Sequence, residues 1–164
     1  MKKLVLIRHA KSSWDDPFLE DHRRPLAERG YRDAPQMAQR LKRRDIEPDA
    51  ILSSHAERAK ATALITAEIL HFPKEDIKVT EELYHASPNK ILELVRETKN
   101  KVNTLLIFGH NPGFNELIDK LGGNIDNLPT SGQFGFKFDV DKWEEISPKK
   151  AKVWFFDYPK KKDN

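Results

Sequence analysis

Two histidines each stand directly behind a short apolar run. Residues 4–7 end at Arg8-His9, and residues 105–108 end at Gly109-His110. Unbroken apolar runs of this length suit strands covered on both faces, as in a parallel sheet. In open α/β sheets, ligands bind outside the carboxyl ends of strands. Two histidines at two such ends face one pocket if their strands are neighbours. Arg58 follows a weaker strand candidate, residues 50–53, and falls in the first turns of the helix after it. Helix N-termini add unpaired backbone N–H groups beside these side chains. Guanidiniums, imidazole and helix N-termini converging on one spot describe a phosphate or sulfate site.

The elements between must position these groups. Ala34, Met37, Ala38 and Leu41 recur at the spacing of one helix face. Pro35 lies in that stretch, so the helix either starts close to it or kinks there. Ser54-His55-Ala56-Glu57 fits a capping box, and an Ala-rich helix runs on to Leu70. Ser87-Pro88 reads as the N-cap and first residue of a third helix. Asn111-Pro112 opens a fourth, with Phe114, Leu117, Ile118 and Leu121 as its apolar face and Gly122 as its C-cap. Residues 77–79 are a further weak strand. Phe134, Phe136, Phe138 and Val140 alternate, which predicts a half-buried strand whose stripe is core rather than a base-stacking platform. Residues 153–156 predict another strand, with 149–152 in the turn between. Alternating strands and helices predict a three-layer α/β/α sandwich with a mostly parallel central sheet and some antiparallel edge.

The totals exclude several classes. The 164 residues predict one domain, residues 1–158, followed by a basic tail, 159–164. The absence of cysteine removes disulfides, thiolate catalysis and Cys-ligated zinc or iron–sulfur clusters. No apolar run approaches the ~20 residues of a membrane span. The apolar stretch at the N-terminus is also shorter than the roughly 7–15 residues of a secretory signal. The expected location is the cytoplasm. The net charge of +3 owes much to Lys160, Lys161 and Lys162, which read as a solvated tail. Neither nucleic acid nor membrane is an expected partner, and the oligomeric state stays open.

With these residues in place the chain resembles a known family. Leu6-Ile7-Arg8-His9-Ala10-Lys11-Ser12 resembles the Arg-His-Gly signature of the histidine phosphatase superfamily (phosphoglycerate mutase-like), with Ala10 where Gly is usual. Ser53-Ser54-His55-Ala56-Glu57-Arg58-Ala59-x-x-Thr62-Ala63 is similar to its Ser-x-x-x-x-Arg-Ala-x-x-Thr-Ala element. Gly109-His110-Asn111-Pro112 resembles its second histidine motif. Arg24-Pro25-Leu26-x-x-Arg29-Gly30 is similar to a segment of the short, SixA-type phosphohistidine phosphatase branch, and Thr130-Ser131-Gly132 continues the likeness.

The resemblance implies the matching fold and a covalent mechanism. His9 would be the nucleophile, forming a phosphohistidine that water then hydrolyses. Arg8, Arg58 and His110 would hold the phosphoryl oxygens, and Arg24, or its neighbour Arg23, would join them. Such a site needs no metal or other cofactor, because arginines supply the positive charge. Larger members use a carboxylate acid after the third strand, a position matched best by Glu82 and next by Glu81. The expected substrate is phosphohistidine on a protein, whose P–N bond needs little acid help. The alternatives are a small phosphorylated molecule with Glu82 as general acid, or a phosphate-binding module without turnover. His22, His55, His71 and His85 have no motif behind them and read as surface or helix-end residues, with His55 the one that could face the cleft. Ser12, Ser13 and Trp14 read either as the pocket mouth or as a turn with a packed aromatic. Asp15, Asp16, Glu20 and Asp21 form an acidic loop that reads either as a screen against anionic substrates or as plain solvated loop.

Overall fold

The computed structural model describes residues 1–161. Six strands form one sheet in the order β3-β2-β4-β1-β5-β6. In chain order these are β1 (Lys2–Arg8), β2 (Ala50–Ser54), β3 (Lys78–Thr80), β4 (Thr104–Gly109), β5 (Gln133–Phe138) and β6 (Ala151–Asp157). Strands β1 to β4 pair in parallel, and β5 is antiparallel to both of its neighbours. The four helices are α1 (Glu28–Arg43), α2 (Glu57–Ile69), α3 (Pro88–Arg96) and α4 (Gly113–Lys120).

The apolar runs divide by parity. Leu4 and Leu6 of β1, with Leu105 and Ile107 of β4, pack against α3 and α4. Val5, Ile7, Leu106 and Phe108 face the other way, toward Leu41 of α1 and Ala63 and Ala67 of α2. The sheet is therefore covered on both faces, as the unbroken runs predict. Val5, Leu6, Leu106 and Phe108 are fully buried, each worth roughly 1.5–3 kcal/mol of transfer free energy. The Phe134, Phe136 and Phe138 stripe lies in the α3/α4 core. This strand is buried on both faces rather than half-buried, because Gln133 and Gly135 on the other side are covered too. Val140 lies beyond it. Ala151 and Lys152 belong to β6, so the preceding turn is shorter than the lysine run suggests.

Two helix starts differ from expectation. Helix α1 begins at Glu28 and runs through Pro35, with Ala34, Met37, Ala38 and Leu41 buried as the periodicity requires. Ser54 is not the cap of α2. It ends β2, Ala56 is the N-cap, and no side chain caps that helix. The Ser54 hydroxyl does accept from the Ala56 N–H at 3.2 Å. The Ser87 cap forms, its side chain accepting from the Lys90 N–H at 3.1 Å. Gly122, at φ +94°, follows the end of α4 in the left-handed conformation that favours glycine.

Residues 159–161 are tied down rather than free: Arg40 Nη2 donates to the Pro159 carbonyl at 3.1 Å, and Lys161 Nζ to that of Phe156 at 2.5 Å. The rest of the expected tail, residues 162–164, lies outside the described residues. No helix among the described residues is long and apolar enough to cross a membrane.

Candidate active site

The topology brings the two histidines together. Strands β1 and β4 are adjacent, with Arg8 opposite Gly109. The chain leaving β1 enters α1 on one face of the sheet, and the chain leaving β4 enters α4 on the other. Loops diverging from neighbouring parallel strands open a crevice at their carboxyl ends. His9 and His110 are the first residues past the paired ends. The His9 N–H donates to the Gly109 carbonyl at 3.1 Å, and the two rings stand 5.2 Å apart. Strand β2, on the far side of β4, adds Ser54, whose Oγ lies 2.8 Å from Nε2 of His110.

The crevice is a cleft of about 250 Å³. Arg8, His9, Arg24, Arg58 and His110 all line it. Five sequence-separated candidates thus meet at one place. Arg24, not Arg23, is the arginine that enters: Arg24 is buried and Arg23 is exposed. Trp14 and Ser12 line the cleft as well, and the Trp14 ring lies 3.2 Å from the Arg24 guanidinium. The same guanidinium donates from Nη2 to Ser12 Oγ at 2.7 Å, so a cation–π contact and a hydrogen bond both hold it.

Hydrogen bonds set the state of His9. Its Nδ1 lies 2.8 Å from the Ala10 carbonyl oxygen, which can only accept. Nδ1 therefore carries the proton, and Nε2 keeps a lone pair. Arg58 Nε stands 3.4 Å from that Nε2. Burial, with the nearby charges of Arg58, Arg8 and Arg24, lowers the His9 pKa to about 4. Burial, with His9 and Arg58, lowers that of His110 to about 3. Both imidazoles are neutral at physiological pH. Burial and Arg58 also lower the pKa of Arg8. Arg8 Nη1 donates to the Leu128 carbonyl at 3.1 Å, while its Nε and the Nδ1 of His110 are buried without a partner.

Ala10 is compatible with this geometry. It is not among the residues with positive φ, and its N–H donates to Thr62 Oγ1 at 2.9 Å. The Thr62 hydroxyl donates in turn to the Arg58 carbonyl at 2.7 Å. Thr62 thus ties the residue after His9 to the turn of α2 that carries Arg58. Arg58 is only two residues past the N-cap, closer to the helix start than a cap at Ser54 implies.

Glu82 is not brought to the cleft. Its carboxylate pairs with Lys90 at 3.2 Å and lines a separate cavity between the sheet edge and α3. The side chain two residues on, Tyr84, enters instead, with His85 beside it. Asp21, read from the sequence as part of an acidic loop, is the carboxylate that meets two arginines of the cleft. Its side chain accepts from Arg24 Nη1 at 3.1 Å, from Arg58 Nη2 at 2.9 Å and from the Tyr84 hydroxyl. Burial would raise its pKa, but the Tyr84 and Arg58 hydrogen bonds outweigh this and hold it far below the usual carboxylate range. Burial and Asp21 together raise Tyr84. Of the histidines set aside, His85 lines the cleft, and His22 and His55 stack at 5.3 Å behind Tyr84. The sequence offered no spacing that links Asp21 or Tyr84 to the arginines.

Residues 4–111 match the family model of the histidine phosphatase superfamily, branch 1. This chain belongs to that superfamily. An uncharacterised chloroplastic protein of Arabidopsis thaliana is 32% identical over 152 residues, covering 88% of this chain and 70% of that one. The solved structure of SixA from Agrobacterium tumefaciens superposes with a TM-score of 0.81 at 27% identity, covering 96% of this chain and 98% of that one. The protein histidine phosphatase SixA solved with tungstate has the same fold, with a TM-score of 0.82 at 22% identity and coverage of 96% and 97%. The histidine phosphatase fold expected from the four motifs is the fold observed.

Proposed function

We propose that this protein is a phosphatase that works through a covalent phosphohistidine on His9 and hydrolyses phosphohistidine on a partner protein. The observation that carries the reading is the tautomer of His9. Its Nδ1 proton is committed to the Ala10 carbonyl, so Nε2 keeps its lone pair, which accepts from Arg58 Nε at 3.4 Å and is released for attack when the phosphoryl group takes that donor. In the first step that pair attacks phosphorus, the bond to the leaving nitrogen breaks, and the departing imidazole takes up a proton. In the second step water attacks phosphorus, the P–Nε2 bond returns its pair to His9, and orthophosphate leaves. Arg8, Arg24, Arg58 and His110 surround the transferring group and stabilise its oxygens. A protein histidine phosphatase of this fold is solved in complex with an oxyanion, tungstate, which is in keeping with the reading.

The leaving group follows from the carboxylates. Glu82 is held by Lys90 outside the cleft, and Asp21 is held ionised by Arg24, Arg58 and Tyr84. Neither is placed to donate a proton to a departing alkoxide. An imidazole leaves with less help, which favours a phosphoramidate over an ester.

The test is a rapid-quench reaction with a ³²P-phosphohistidine peptide, wild type against His9→Ala. Acid-labile, base-stable label on the protein with phosphate release, both lost in the variant, is the expected result. Turnover of phosphate monoesters alone would move the reading to a small-molecule phosphatase. Phosphate binding without turnover of either substrate would leave a phosphate-binding module.

A further inference from the structure

Arg29 of the Arg24-Pro25-Leu26-x-x-Arg29-Gly30 segment does not line the phosphoryl cleft. Its position is nevertheless fixed. A Cβ on Gly30 would stand 2.3 Å from the Lys11 carbonyl oxygen, so glycine is what lets α1 start directly against the chain leaving His9. From there Arg29 Nη2 reaches Thr130 Oγ1 at 3.3 Å, and Thr130 is a wall of the cleft.

Behind Thr130 opens a second cavity of about 450 Å³. Arg29, Arg32, Asp33 and Gln36 line one side, at the spacing of a single face of α1. Tyr158, Pro159 and Lys160 line the other. That side is held against α1 by Arg40, which donates to the carbonyls of Tyr158 at 2.9 Å and Pro159 at 3.1 Å. Among the described residues, three cations, Arg29, Arg32 and Lys160, therefore face one carboxylate, Asp33, which lies 3.7 Å from Arg29. Arg32 makes no ion pair among the described residues. On the loop that carries Trp14, Asp15, Asp16 and Glu20 are exposed acids and Arg23 an exposed base, and Lys11 lines the cleft.

We propose that this second cavity is an anion subsite for the substrate whose phosphoryl group lies at His9. On a phosphohistidine protein its occupant is a carboxylate side chain flanking the phosphorylated residue, so the preferred partner presents phosphohistidine in an acidic surrounding. The proposal rests on the phosphohistidine reading for its substrate class. Because both cavities share Thr130, one extended segment spans them.

The experiment compares two matched phosphohistidine peptides, one with glutamate flanks and one with glutamine flanks. Wild type is expected to show a KM roughly three- to tenfold lower for the acidic peptide, the range a few partly exposed charge pairs can supply. High salt should shrink the difference. The ratio of the two KM values should approach one in Arg29→Gln/Arg32→Gln. Arg32→Gln alone, which leaves the Arg29–Asp33 pair in place, should move the ratio part of the way. A ratio near one in wild type, or one that neither variant changes, overturns the subsite. If neither peptide is hydrolysed, it is the phosphohistidine reading that fails. Pyrophosphate against orthophosphate, as inhibitors of p-nitrophenyl phosphate hydrolysis, then tests the subsite alone. Tighter pyrophosphate that the variants weaken supports it, and equal inhibition overturns it.

Discussion

Nε of Arg58 lies 3.4 Å from Nε2 of His9. The same guanidinium donates to the Asp21 backbone carbonyl at 2.7 Å and to its carboxylate at 2.9 Å. In the proposed mechanism one arginine thus stands beside both the attacking nitrogen and the transferring phosphoryl group. Removing a preorganised donor of this kind costs on the order of 100- to 1,000-fold in kcat. Arg58→Ala should show that loss in single-turnover kinetics, and Arg58→Lys should recover little of it because the planar fork is gone. Activity of Arg58→Ala within tenfold of wild type would remove Arg58 from the chemistry.

The histidines carry a pH signature. His9 and His110 are held neutral, with pKa values of about 4 and about 3, and burial is the main cause in each. In the unfolded chain each titrates near ~6.5. Below that pH the unfolded state binds protons that the folded state refuses, so stability falls from about pH 6.5 down to about 4. Urea unfolding at pH 7 and pH 5 should show wild type losing roughly 1–3 kcal/mol more than His9→Asn/His110→Gln. Imidazole NMR signals of His9 titrating near pH 6.5 in the free enzyme would contradict the burial argument.

Asp21 pairs with two arginines of the cleft. It occupies donors on Arg24 and Arg58 that phosphate would use. Asp21→Asn should bind orthophosphate roughly three- to tenfold more tightly, since a neutral side chain competes less for the arginines. It should also turn over more slowly, because Arg58 loses its anchor. The inhibition constant for orthophosphate checks this, and an unchanged constant would mean that Asp21 stays bound to the arginines throughout.

Thr62 joins the loop that carries His9 to α2. Thr62→Val leaves the buried Ala10 N–H and the Arg58 carbonyl without their shared partner. Such a loss costs about 1–3 kcal/mol. Denaturant unfolding should show it, with a fall in kcat that exceeds any change in KM, since His9 and Arg58 both shift.

Glu82 is expected to be silent. With its carboxylate on Lys90, Glu82→Gln should change the hydrolysis of phosphohistidine and of phosphate esters by less than about twofold, and stability by no more than ~0.5 kcal/mol. A large loss confined to esters would return Glu82 to the reaction as an acid.

By itself the sequence determined the main strands and helices and most of the residues that gather in the cleft. The runs before His9 and His110 suited strands covered on both faces, because no polar residue interrupts them. Arg8, Arg58 and both histidines were legible because each follows a strand end or helix start, where side chains and backbone N–H groups point outward. What the tertiary structure alone decided is everything that depends on which loops touch. Ser54 read as a helix cap because local pattern cannot tell a cap from a strand end; pairing of β2 with β4 makes it the partner of His110 instead. Glu82 matched the acid's place in the chain, yet the turn after β3 points Tyr84 into the cleft and leaves Glu82 with Lys90. Asp21 looked like one carboxylate among four. It became the counter-ion of two arginines only when the loop before α1 folded over α2, a contact 37 residues apart that no spacing in the sequence encodes.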